Sequence, residues 1–192
     1  IWSAMVRAAL HRLRRVEFHP QNWRPNVLIL GGGVKKRLHL LELGSAIVQD
    51  RGIVTYMILL RGKVDEMAEE RNQLRVSLDE TLANRFPHVF TRVDIVDDLY
   101  RGVTAISQSY GVGSFEANTI MLGWPKKAER QQPYIEMLRD LARLDRSLVL
   151  VSFDEKKRFG SARKIQIWWG GLQGNGGFML LLSTARRQAA YT

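Results

Sequence analysis

Apolar positions along this chain fall into two kinds of run that take turns. NVLILGG at 26–32 and IVTYMILLRG at 53–62 are continuous apolar runs, suited to strands buried on both faces. Between them, KRLHLLELGSAIVQD at 36–50 spaces Leu38, Leu41 and Ala46 as a helix does, with Gly52 as its expected stop. Residues 64–86 form a long charged helix with Met67, Leu74, Leu78 and Leu82 on one side and Pro87 at its end. HVFTRVDIVDD at 88–98 alternates as a third strand, and LYRGVTAISQSYGV at 99–112 is a helix closed by Gly111. NTIMLGWP at 118–125 is a fourth strand, 131–146 a helix with Pro133 in its first turn, and SLVLVSFD at 147–154 a fifth strand. After the basic stretch KKRFGSARK, KIQIWWGG at 164–171 reads as a sixth strand and FMLLLSTARRQ at 178–188 as an apolar helix.

Strands alternating with helices predict a doubly wound α/β fold with a mostly parallel sheet, helices on both faces and right-handed crossovers. The connections are too long for hairpins. Residues 26–163 form one such lobe, and 164–192 open a second lobe that the chain does not complete. Residues 1–25 differ from both. Trp2, Met5, Val6, Leu10 and Leu13 recur at spacings of three and four, with Arg7, Arg14 and Arg15 mostly on other faces, which predicts a basic amphipathic helix. HPQNWRPN then reads as an extended linker. Starting at Ile1 with no signal-peptide pattern, the chain reads as a piece of something longer.

Composition changes this picture in two ways. The formal charge is +10 over 192 residues, with five arginines before residue 25 against Glu17 alone. Such an excess points to an anionic surface or ligand. Aromatic residues do not interleave with those cations apart from Trp2 and Trp23, so nucleic acid is not an expected partner, whereas an anionic membrane surface near the N-terminal helix is. The absence of cysteine excludes disulfides, cysteine-ligated zinc and a thiol nucleophile.

Candidate chemistry is thin. Gly31, Gly32 and Gly33 follow a strand, where glycines let a phosphate approach the backbone at a helix N-terminus. Lys36 stands where the third glycine of a dinucleotide fingerprint belongs, and the second strand ends in Arg61 where a ribose-binding acid belongs, so an NAD site is not expected. Gly111 and Gly113 precede a strand and read as a helix stop and turn. Gly123 ends the fourth strand, where open α/β sheets bind ligands, and basic WPKKAER follows it. GNGG at 174–177 reads as a strand-to-helix turn. Asp94, Asp97 and Asp98 read as a solvated strand end, and His11, His19, His39 and His88 lack metal spacing. No catalytic constellation emerges.

Three stretches taken together resemble the cytosolic C-terminal domain of cation–chloride cotransporters of the prokaryotic Na–K–Cl type. They are HPQNWRPNVLIL at 19–30, ANTIMLGWPK at 117–126 and KIQIWWGGLQGNGGFMLLLSTARRQ at 164–188. The resemblance implies a universal-stress-protein-like fold on the cytoplasmic side of the membrane, a homodimer, and a regulatory, non-catalytic action on the membrane domain of its own transporter. It also implies a nucleotide site in some members, for ATP or another adenine nucleotide; the glycines Gly31, Gly32, Gly33 and Gly123 are the candidate positions here. The chain departs from the family where Gly174 and Asn175 stand in place of acidic residues. The alternative reading is a stand-alone nucleotide-binding protein of the universal-stress type. Trp168, Trp169 and the helix from Phe178 are candidates for covering a dimer interface or a missing lobe.

Overall fold

The computed structural model describes residues 1–13, 23–49, 51–112, 115–156 and 176–189. The sixth strand, Trp168, Trp169, Gly113, Gly174, Asn175 and residues 14–22 lie outside the described residues. The elements are α1 (Trp2–Leu13), β1 (Asn26–Gly31), α2 (Leu38–Val48), β2 (Ile53–Arg61), α3 (Val64–Ala83), β3 (Val89–Val96), α4 (Leu99–Ser109), β4 (Gly111–Val112), β5 (Phe115–Glu116), β6 (Thr119–Gly123), α5 (Gln131–Arg143), β7 (Ser147–Val151) and α6 (Gly176–Ala189). Five strands form one sheet in the order β3-β2-β1-β6-β7. All four pairings in it are parallel, with Val27 opposite both Val54 and Thr119 and Gly123 opposite Val151. The chain winds outward from β1 to β3, then returns across β1 to β6 and continues to β7. This is the doubly wound α/β architecture expected from the alternating runs.

Side chains of β1 explain why its run is continuously apolar. Val27 and Ile29 face one layer with Leu40, Leu41 and Ile47 of α2, Leu78 and Leu82 of α3, and Phe178, Leu181 and Leu182 of α6. Leu28 and Leu30 face the other with Val103 of α4 and Tyr134, Met137 and Leu141 of α5. Adjacent residues of a strand point to opposite faces, so a central strand covered on both sides needs apolar residues at every position. Val27, Leu28 and Ile29 are each 0% exposed, and burial of one such side chain stabilises by roughly 1.5–3 kcal/mol.

Three boundaries differ from expectation, each for a local reason. Helix α2 ends at Val48, with Gln49 in the left-handed conformation (φ 47°) as its stop, not Gly52. Helix α3 ends at Ala83, before Pro87, where Arg85 and Phe86 N–H groups turn back onto the Leu82 carbonyl. Residues 111–112 and 115–116 are not a plain turn: β4 and β5 form a two-residue antiparallel pair. Gly111 opens it with φ +144°, and a Cβ there would lie 2.6 Å from the Phe115 carbonyl oxygen, a conformation that glycine adopts without penalty.

The N-terminal edge of the sheet is tied to the incoming segment by two asparagines. Asn118 Nδ2 donates to the Arg24 carbonyl at 2.7 Å, and its Oδ1 accepts from the Asn26 N–H at 3.0 Å and the Thr119 hydroxyl at 2.9 Å. Asn26 Nδ2 in turn donates to the Glu116 carbonyl at 2.8 Å. Trp23 meets Phe178 of α6 edge to face at 5.6 Å. The phrases around WRPN and ANT are thus partners across 90 residues of sequence.

Candidate functional site

Strand order reverses between β1 and β6, and in open α/β sheets ligands bind at the carboxyl ends of the strands beside that reversal. Gly31 and Gly123 end these two strands, so the fold brings the predicted glycines to one crevice. They are not equivalent. A Cβ at Gly31 would fall 2.7 Å from Cζ of Tyr56, a residue with no exposed surface, whereas Cβ atoms at Gly32 and Gly33 would meet nothing within 4 Å. Packing therefore requires glycine at 31 alone of the three. No α-helix starts at the glycines. A single 3₁₀ turn (Val34–Lys36) follows them, and α2 begins only after Arg37.

Arg37 reaches the Gly123 side of the crevice. Its guanidinium lies against Gly123, where an added Cβ would overlap Nη1 and approach Cζ to 3.1 Å. Two phenols flank it. Tyr56 Oη donates to the Gly32 carbonyl at 2.7 Å, and Tyr134 Oη donates to the Gly123 carbonyl at 3.3 Å. Burial pushes each phenol up to about 12, an effect that the Arg37 charge opposes. Trp124 packs edge to face on Tyr134 at 5.6 Å, which fixes the turn after β6. Both strand ends are thus held by side chains from distant elements, and the crevice between them carries positive charge. Among the described residues Arg37 makes no ion pair with a carboxylate.

His39 lies one step further along α2. Its ring stacks on Phe153 with centroids 4.0 Å apart and planes 4° from parallel. It is buried, and Nε2 has no hydrogen-bond partner among the described residues. Burial holds its pKa below the ordinary 6.5, the Arg37 and Lys126 charges push it further down, and Glu155 pulls the other way. Below about pH 6.5 the unfolded chain takes up a proton at this position while the folded chain resists it. The unfolded state then binds more protons, so stability falls as pH drops through that window. His39→Phe should remove this component. Urea unfolding at pH 7.5 and 5.5 is the measurement, and the same acid loss in both proteins would refute it.

A cavity of about 430 Å³ adjoins the glycine turn on the α3 side, lined by Gly33, Lys36, Ile58, Leu74 and Thr81 among others. Two of the three acidic residues around the end of β3 have structural work: Asp94 pairs with Arg92 at 2.9 Å, and Asp98 caps α4 by accepting from the Tyr100 and Arg101 N–H groups at 3.0 and 2.9 Å. Among the described residues no group of three or more His, Asp or Glu side chains is arranged to hold a metal, and no helix is long and apolar enough to cross a membrane.

The sequence alone does not single out Arg37, Tyr56 or Tyr134. Arg37 sits four residues past Gly33 beside Lys36, a visible signal. The tyrosines lie inside a strand and a helix and become neighbours only through the winding of the sheet.

The chain is 26% identical over 188 residues to potassium/chloride cotransporter 3 of Caenorhabditis elegans, a match covering 88% of this chain and 17% of that protein. It is 24% identical over 204 residues to cation-chloride cotransporter 1 of Oryza sativa subsp. japonica, covering 94% of this chain and 20% of that one. The chain is related to cation–chloride cotransporters. No family model matches it. It spans about a fifth or less of the length of these cotransporters, and the relation runs through nearly the whole α/β body.

Proposed function

We propose that this chain is the cytosolic regulatory and dimerisation domain of a cation–chloride cotransporter-like membrane transporter and has no catalytic role of its own. One observation carries the reading: cotransporter similarity extends over 88% and 94% of the chain while covering only 17% and 20% of the proteins matched. A body of five parallel strands with a rigidly fastened incoming segment supports a mechanical role. The Asn118 and Asn26 contacts lock residues 24–26 to the sheet, so a displacement of the segment before them is passed to the whole body. The α/β body would dock on a twin or on the transporter's cytoplasmic face, burying about 1,200 Å² or more in total.

Deleting residues 26–156 from the full-length transporter should leave membrane insertion intact and abolish chloride-dependent cation flux. Undiminished flux would reject the regulatory reading. Sedimentation of the intact chain tests the dimer, and a monomer at all concentrations would reject that part.

A second reading of the crevice, an adenine nucleotide site, is favoured by Arg37. A guanidinium at the N-terminus of α2 adds to the positive end of the helix dipole, with no acidic residue in the first turn to offset it. An anion between Gly31 and Gly123 would relieve both charges. Titration calorimetry with ATP should give saturable heat that is lost in Arg37→Ala. Heats no larger than dilution would reject this site without touching the cotransporter reading.

A further inference from the structure

Helix α1 leaves most of its apolar residues exposed. Trp2, Met5 and Val6 are 78%, 57% and 58% exposed, and Leu10 is half-buried. Trp2, Met5, Val6 and Ala9 stand at i, i+3, i+4 and i+7, which places them on one side of the helix. Ser3, Arg7 and His11 share the opposite side, and Arg12 borders the apolar one. The helix contains no acidic residue, and Arg14 and Arg15 follow it in sequence. A lone helix of 12 residues is marginal in water, where most helical stability comes from burying an apolar face. The partner that covers this face must therefore offer both an apolar phase and negative charge.

We propose that α1 is a membrane-surface helix that lies in the interface of an anionic bilayer, with Trp2, Met5 and Val6 in the acyl boundary and Arg7 and Arg12 at the lipid headgroups. An amphipathic helix with arginines on its polar side and tryptophan among its apolar residues has the composition for that position. A complementary protein groove would have to supply a continuous acidic rim as well as an apolar floor. An anionic leaflet supplies both everywhere. The inference rests on α1 alone and stands or falls independently of the transporter reading.

Flotation of the intact chain with lipid vesicles tests it. The chain should float with vesicles containing 30% phosphatidylglycerol, should not float with pure phosphatidylcholine, and should release as salt is raised to about 0.5 M. Arg7→Gln and Arg12→Gln should each weaken partitioning about fivefold, the equivalent of the ~1 kcal/mol that one basic residue gains near an anionic leaflet. Arg7→Lys and Arg12→Lys should retain it. Met5→Asp should abolish flotation while leaving the thermal unfolding of the body unchanged, because Met5 is exposed. No flotation with anionic vesicles, equal flotation with neutral ones, or full flotation of Met5→Asp would each overturn the proposal. So would a shift of Met5→Asp from dimer to monomer in sedimentation, which would assign the apolar side to a protein interface.

Discussion

Gly52→Ala should destabilise the fold by about 3 kcal/mol, at the upper end of what forced overpacking costs, although only one methyl group is added. The methyl would overlap the Pro25 carbonyl oxygen and lie 3.0 Å from the Pro25 carbonyl carbon. That oxygen cannot swing away freely. It accepts from the Ile53 N–H at 3.3 Å, and the next residue, Asn26, opens β1 under two asparagine contacts. Relief requires the start of β1 to move relative to β2, and β1 is the central strand whose Val27, Leu28 and Ile29 fill both core layers. The overlap arises at Cβ, so valine should be little worse than alanine. Gly32→Ala is the control. A Cβ there meets nothing within 4 Å, so it should leave stability unchanged or raise it by up to about 1 kcal/mol through the unfolded chain. Urea unfolding of the two variants decides: equal midpoints would show that the approach of Pro25 to Gly52 is not a constraint.

Gly52 also marks where sequence reasoning stops. Its place after a helical run made it the expected helix stop, since glycine tolerates the left-handed conformation that often ends helices. Gln49 takes that conformation instead, and Gly52 is required by a neighbour 27 positions away. Periodicity reports what one element does with its own faces. It therefore gave the alternation of strands and helices, the parallel sheet and the core residues of β1 and α3. It does not report which distant backbone comes close. The β4–β5 pair escaped for another reason, because two-residue strands are too short to carry a period of two.

The crevice divides in the same way. Position at strand ends made Gly31 and Gly123 legible, since a doubly wound order puts the ends of the first and fourth large strands together. The glycine triplet looked like one unit, yet only Gly31 is demanded by packing, under the ring of Tyr56. Arg37 was visible as one of three consecutive cations at 35–37, but its placement against Gly123 depends on the 3₁₀ turn that delays α2 by several residues. The tyrosines that hold the two glycine carbonyls come from β2 and α5, and nothing local distinguishes them from core aromatics.

Asn118→Ala should cost about 2 kcal/mol, because it removes one side chain that serves three groups at once. Its carboxamide accepts from the Asn26 N–H and the Thr119 hydroxyl and donates to the Arg24 carbonyl. Asn26 is 7% exposed, so its N–H would be left without water, at roughly 1–3 kcal/mol for a buried donor. The Arg24 carbonyl is exposed and water can replace its bond at little cost. Asn118→Asp separates the two contributions. A carboxylate keeps both acceptor contacts but sets an oxygen against the Arg24 carbonyl in place of the donor, a repulsion that this exposed carbonyl relieves by turning to water, so a smaller loss than in Asn118→Ala is expected. Hydrogen exchange gives the local readout: the Asn26 amide should exchange faster in Asn118→Ala than in Asn118→Asp. Exchange of that amide at the wild-type rate in the alanine variant would mean that Asn118 does not hold the incoming segment. The fastening through which that segment would move the sheet would then have to lie elsewhere, for instance in the packing of Trp23 on Phe178.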